Sequence, residues 1–312
     1  MSDHDLMFAE LRELVDPPPF TIQRWQALCA HIERWPLDAA VQIAIPYASA
    51  ALVDYDPRWR DASHMWCVRL ARGIPQPWMV LARSMRLIGM NIEDRHVQRL
   101  VASPDLRELR SVSLAHNKIS DEGAVQIAAS AHLSAVERLD LSTNDIGPEG
   151  ARALLESGRL SSLTALDLSE NPLGDEGIAS LARSPRLLRL RELGISRCGG
   201  GDASALALAA SPHTANLTAL NLSWGDITDV GAYALADALA ASSFMPRLER
   251  LYMVENHKMT EAGEGALREV LEARGVADVT LRNPLPPGVP TKPRIPPALD
   301  SFISRLLRPL RR

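Results

Sequence analysis

Apolar residues recur along this chain in a fixed frame, Leu-x-x-Leu-x-Leu-x-x-Asn-x-Ile/Leu, and the frame returns every 27 residues. It reads Leu109-Val112-Leu114-Asn117-Ile119, then Val136-Leu139-Leu141-Asn144-Ile146, then Leu163-Leu166-Leu168-Asn171-Leu173. Looser copies follow at Leu190-Leu193-Ile195-Cys198 and Leu217-Leu220-Leu222-Gly225-Ile227, and a degenerate one precedes at Ala82-Met85-Leu87-Met90-Ile92. Such a period is the mark of stacked repeats, each too small to bury its apolar face alone. Inside a copy the leucines alternate with polar residues, as in Arg138-Leu139-Asp140-Leu141-Ser142, which predicts a short parallel strand with leucines inward. The Asn then turns the chain, its amide serving backbone groups that would otherwise be buried unpaired.

A second signature follows each turn: Ser120-Asp121-Glu122-Gly123, Gly147-Pro148-Glu149-Gly150, Gly174-Asp175-Glu176-Gly177, Thr228-Asp229-Val230-Gly231 and Thr260-Glu261-Ala262-Gly263. The first residue suits a helix N-cap, the acidic residues suit the positive end of the helix dipole, and Pro148 suits the first helical position. Apolar residues then continue at helical spacing, as in Ile178-Leu181 and Leu235-Leu239. Each unit is therefore strand, turn, helix and return. Two units depart from the frame. Cys198-Gly199-Gly200-Gly201-Asp202 replaces the usual turn and cap, which predicts a flexible or flattened rung. The unit from Leu217 runs 31 residues to Leu248, with surplus at Ser242-Ser243-Phe244-Met245-Pro246. The last rung is Val276-Val279-Leu281.

These residues resemble the ribonuclease-inhibitor-like class of leucine-rich-repeat proteins over about two-thirds of the chain. The resemblance implies an α/β solenoid, a curved horseshoe with parallel strands on the concave side and helices outside. The Ala/Arg-rich, Lys-poor composition points to a bacterial source. For function it implies binding, since the class holds inhibitors, GTPase activators, immune receptors and bacterial effectors.

The repeat divides the chain into residues 1–80, 81–283 and 284–312. The first section is expected to form a helical domain that covers the open end of the solenoid. It holds five of the six tryptophans, Trp25, Trp35, Trp59, Trp66 and Trp78, spaced as core rather than as a cofactor box. The last section is a Pro-rich linker, then a stretch in which Phe302, Leu306 and Leu310 share a helical face among arginines. Three roles are open to it: capping the last rung, contacting a membrane surface or partner, or remaining disordered.

The net charge of −4 argues against a general nucleic-acid binder. It is unevenly placed: residues 284–312 hold six basic residues and one acidic, or +5, leaving −9 for the rest. Three distant cysteines predict free thiols in a reducing compartment. The acidic start, MSDHDLMFAELREL, carries no signal-peptide pattern, and no apolar run reaches membrane-spanning length. A cytoplasmic protein is expected, with secretion lacking a cleaved signal as the alternative.

Catalytic patterns are missing. Gly199-Gly200-Gly201 lacks the Gly-Lys-Ser/Thr ending of a phosphate loop, and neither G-x-S-x-G nor H-E-x-x-H occurs. His116 and Asp140, on neighbouring rungs, read as a surface ion pair. No catalytic residue, cofactor or metal site is expected. What remains is the outward strand face. Its row at the fourth position holds Asp140, Asp167, Asn221 and Tyr252. The row at the seventh holds Glu170, Arg197, Trp224 and Glu255, and the row at the second adds Arg138 and Arg250. Trp224, the only Trp of the array, and Tyr252 on the next rung read as an exposed aromatic pair of the kind that anchors an interface. Alternatively Trp224 folds down into the space that Gly225 leaves. Asp140, Asp167 and Glu170 read as an acidic patch suited to a basic partner. The expectation is a non-enzymatic protein–protein interaction module. The alternatives are a regulator of a small GTPase or other enzyme and a host-directed bacterial effector.

Overall fold

A computed structural model describes residues 3–15, 21–52, 60–241, 245–276 and 278–281. Eight three-residue strands form one parallel sheet in chain order: β1 (Ser84–Arg86), β2 (Ser111–Ser113), β3 (Arg138–Asp140), β4 (Ala165–Asp167), β5 (Glu192–Gly194), β6 (Ala219–Asn221), β7 (Arg250–Tyr252) and β8 (Asp278–Thr280). The register follows the repeat frame: Met85, Val112, Leu139, Leu166, Leu193, Leu220, Leu251 and Val279 stand side by side. Because consecutive strands are joined by a helical return, each strand is added to the same edge and the sheet stays open.

The returns are α6 (Asp94–Val101), α7 (Asp121–Ala129), α8 (Pro148–Glu156), α9 (Gly174–Arg183), α10 (Asp202–Ala209), α11 (Asp229–Ala240) and α12 (Glu261–Ala273). Each packs on the next. Helices need about 8–10 Å between axes and strands only about 4.8 Å, so stacking the two layers bends the array with the sheet inside. Frame leucines such as Leu141, Leu166 and Leu193 fill the space between layers.

The turn position carries the expected ladder. Asn144 Nδ2 donates to Leu114 O at 3.0 Å on the preceding rung and to Leu141 O at 2.9 Å on its own, while its Oδ1 accepts from Ile119 N at 3.0 Å. Asn117 and Asn171 do the same. Cys198 replaces these with thiol contacts to Leu168 O at 3.1 Å and Ser196 O at 3.4 Å. Asn256 resumes the ladder through Leu222 O and Ile227 N.

At the helix starts a second ladder appears. An aspartate at the first helical position, or at the second in α9, binds the cap of the next rung. Asp94 accepts from Ser120 N at 2.9 Å and Oγ at 2.5 Å; Asp121 from Gly147 N and Gly150 N; Asp175 from Gly201 N, Ser204 N and Ser204 Oγ. Asp202 takes Thr228 and Gly231, and Asp229 takes Thr260. The signature glycine now has a reason: a Cβ at Gly123, Gly150, Gly231 or Gly263 would fall 2.3–2.6 Å from that carboxylate. Pro148 stands where an aspartate belongs, so no carboxylate reaches from α8 to α9. The Gly-rich rung is a correction to expectation. Its strand register is unbroken, α10 is formed, and Gly201 is held by Asp175 and by a bridge to Asp226.

Ahead of the sheet lie α1 (Asp3–Val15), α2 (Ile22–Ile32), α3 (Leu37–Ala39), a π-helical turn (Ala40–Ala44), α4 (Ile45–Ala51) and α5 (His64–Ala71). Trp25, Trp35, Trp66 and Trp78 are buried here; Trp59 lies outside the described residues. Trp25 and Trp66 meet edge to face at 6.5 Å. Asp61 bridges Ser84 at the edge of β1, with Ala62 N donating to Ser84 O at 2.7 Å. One apolar core runs from these helices into the repeats.

Candidate functional site: the outward strand face

The row just past each strand shares a backbone conformation. His116, Thr143, Glu170, Arg197, Trp224 and Glu255 all have φ between 53° and 61°, in the left-handed region that side chains normally avoid. Each N–H from His116 to Trp224 donates to a carbonyl of the following rung at 2.7–2.9 Å, which holds the row in place. The conformation turns these side chains out along one rim.

On that rim Trp224 is half-buried. Its ring has the Arg197 guanidinium 5.8 Å from its centroid and meets His257 edge-on at 6.5 Å. His257 Nε2 lies 3.0 Å from Glu255, and Arg197 lies 3.9 Å from Glu170. Trp224 does not fill a void beside Gly225. A Cβ there would stand 2.8 Å from both Asn256 Oδ1 and Gly200 O, so that space is already taken.

Lower on the face the picture differs from expectation. Tyr252 is fully buried and its hydroxyl donates to Asp278 at 2.6 Å, so it forms no exposed pair with Trp224. Asp140, Asp167 and Asn221 are buried too, although strand alternation aims them outward. Arg138, Glu170 and Arg197 are exposed, while Arg250 is half-buried in an ion pair with Glu192 at 2.8 Å. The acidic patch therefore splits: Asp140 and Asp167 face each other from paired positions of β3 and β4, and Glu170 belongs to the rim.

Asp140 does not pair with His116. It accepts from Ser113 Oγ at 2.7 Å and from Ser142 N and Oγ. Asp167 accepts from Ser169 N, while its Oδ2 has no hydrogen-bond partner among the described residues. Burial, then the neighbouring Asp140 charge, pushes Asp167 up to about 7. Burial raises Asp140 as well, against its serine hydrogen bonds. Two rungs on, Asn221 Nδ2 and Ser223 Oγ, and one rung further Arg250 Nε, also lack partners among the described residues. Buried polar groups in proteins are overwhelmingly satisfied, so a run of four on one face is a feature of that face.

Among the described residues no cluster of His, Cys, Asp or Glu is arranged to hold a metal. Cys29, Cys67 and Cys198 are free and buried, with burial pushing each thiol upward, which makes them poor nucleophiles. No described helix is long and apolar enough to cross a membrane.

The repeat model described as "Leucine Rich repeat" matches residues 106–128, 132–155, 159–182 and 213–236. Leucine-rich repeats are thus shown within residues 106–236, and the described strands and helices form an α/β leucine-rich-repeat solenoid. No curated protein matches it. Among solved structures it is similar to a tropomodulin C-terminal domain of Caenorhabditis elegans (19% identity, TM-score 0.33), covering 42% of this chain and 81% of that one. It is also similar to an internalin (inlF) of Listeria monocytogenes (15% identity, TM-score 0.38), covering 65% of this chain and 61% of that one. Leucine-rich repeats generally act as protein-binding scaffolds rather than as catalysts.

Proposed function

We propose that this chain is a non-enzymatic module that binds a protein partner on the outward strand face, with Trp224 as the anchor. The observation that carries the reading is the rim: a Trp held in a left-handed backbone between Arg197 and His257, with Glu170 and Glu255 beside it. An amphipathic ring bordered by both charge signs is the composition of an interface hot spot. Arg138 extends the surface toward β3. Tyr252, Asn221 and Arg250 support it from below. The N-terminal helices of residues 1–80 serve as the cap of the array, whose first strand would otherwise leave an open edge.

The test is affinity capture with the full chain beside Trp224→Ala and Arg197→Glu, followed by titration of each captured protein. The expected result is a partner whose affinity falls at least tenfold in both variants. A partner bound equally by all three chains removes the rim from the interface.

A further inference from the structure

The helix layer changes character halfway along the array. Ser120 and its equivalents Gly147, Gly174, Gly201, Thr228 and Thr260 set a common frame for α7–α12. The second and fifth residues after each of them are exposed, Ala179 alone being half-buried. At the second place stand Glu122, Glu149 and Glu176 on α7–α9, then Ala203, Val230 and Ala262 on α10–α12. At the fifth place Val125, Arg152 and Ala179 give way to Leu206, Tyr233 and Gly265. The solvent side of α8 is Glu149, Arg152 and Glu156, whereas that of α10 is Ala203, Leu206 and Ala210. Leu206, Val230 and Tyr233 are 47%, 60% and 44% exposed. A surface helix normally turns polar residues to water, and contiguous exposed apolar area marks an interaction site.

This apolar band across α10–α12 is bounded by charge of one sign. Asp202, Asp229 and Glu261 lie one residue before it, and Asp237 and Glu269 lie one turn beyond it. Asp202 and Asp229 bind neutral amides and hydroxyls of the next rung, which bring no countercharge. Helices α9–α12 together hold nine acidic and two basic residues, against five and three in α6–α8. A second copy of this chain would set like charge against like, and so would an anionic bilayer. We propose that the band receives an amphipathic helix of a partner protein, its apolar stripe flanked on both sides by Lys or Arg. The dimensions agree. From α10 to α12 is two helix spacings, about 18 Å, which a helix laid across them covers in about 12 residues. Tyr233 stands at the centre, a ring of the kind that anchors interfaces. On the neighbouring helix Gly265 leaves a dent, since a Cβ there would meet nothing within 4 Å. A partner's side chain can enter beside the ring. Apart from Tyr233 the band carries only short aliphatic side chains or none, so a helix backbone can come close.

The band belongs to the helix layer, so it goes beyond the reading centred on Trp224 and does not rest on it. The test uses the full chain and a fluorescent synthetic helix of about 15 residues, long enough to cross the band. The peptide carries Leu along one face and Lys on either side; its counterpart carries Glu in place of Lys. Anisotropy titration is expected to show the Leu/Lys peptide bound at least tenfold more tightly than the Leu/Glu one. Its affinity should fall at least tenfold in Leu206→Gln/Tyr233→Gln, and as much in Asp237→Lys/Glu269→Lys. All four side chains are exposed, so both variants should keep the thermal unfolding of wild type. Affinity should stay within about twofold in Trp224→Ala and in Val125→Gln, an exposed apolar position on α7 outside the band. Equal binding by every chain, or of both peptides, overturns the proposal, and so does a loss confined to Trp224→Ala. A dimer in sedimentation that Leu206→Gln/Tyr233→Gln dissociates gives the band to a second copy. Anionic vesicles bound through the same residues give it to a membrane. Either result overturns the proposal. If the peptide behaves as expected while capture through Trp224 fails, the band stands and the strand-face reading falls.

Discussion

The turn edge of this solenoid and its outward strand face are built from the same repeat and treated in opposite ways. Along the turn edge most rungs are tied to the next: asparagine amides close the backbone except at Cys198 and Gly225, and aspartates bind the caps of the following helices except at Pro148. On the strand face, a few ångströms away, polar side chains are buried and left open. Unsatisfied groups cost about 1–3 kcal/mol each, so the face gives up stability that the edge accumulates.

The largest way to break the contrast is at the edge. Asn144→Ala and Asn171→Ala each strand buried carbonyls of two rungs and a backbone N–H, and should cost about 2–4 kcal/mol by denaturant titration. Next is the aspartate ladder. Asp202→Ala removes bonds from Thr228 and Gly231 and should cost about 1–2 kcal/mol. Gly231→Ala should cost a similar amount, about 1–3 kcal/mol, because the new methyl meets the Asp202 carboxylate at 2.6 Å and Ala205 at 2.9 Å.

Asp175 offers a smaller effect with a distinct signature. Its pKa is lowered by Ser204 and by the Gly201 and Ser204 amides, against a desolvation that alone would raise it. A depressed carboxylate favours the folded state above its unfolded pKa, and that contribution disappears as pH falls through the lower folded value. The residue is exposed, so the gain is under about 1 kcal/mol. Asp175→Asn should destabilise slightly at pH 7 and converge with wild type as the pH falls through the lowered folded pKa of Asp175. Smallest for the fold is Trp224→Gly. It loses packing with Arg197 and His257 but relieves a left-handed backbone, and should move stability by less than about 1 kcal/mol. The same change should abolish partner capture, which would sharpen the separation of edge from face.

Much of the edge was legible in the sequence. The period-two leucines fix the strands, and Asn117, Asn144 and Asn171 announce their bonds by spacing alone. The aspartates also stood in plain view: Asp94, Asp121, Asp175, Asp202 and Asp229 fall on one 27-residue frame, with Pro148 in the gap. Read one helix at a time they look like dipole partners. Only the stacking shows that each serves its neighbour. The face was less legible for a physical reason. Alternation tells which side of a strand a residue takes, and it cannot tell what lies over that side. Tyr252, Asn221 and Asp167 were correctly aimed outward and wrongly expected to be wet. Trp224 was singled out by composition, while its Arg197 and His257 neighbours depend on a rim conformation that no pattern of residue types announces.

Pro148 has one more effect. In a stack of coupled units each joint adds its own interface contribution, and the aspartate staples divide this stack into two runs, from α6 to α8 and from α9 to α12, with Asn171 still bonded across the gap to Leu141 O and Ile146 N. The joint between them lies between the rungs of β3 and β4. Those rungs carry Asp140 and Asp167, one on each side. A slight opening of the array at this joint would draw the two carboxylates apart, so that a small mechanical strain on the backbone would be felt as a change in the local field of the face.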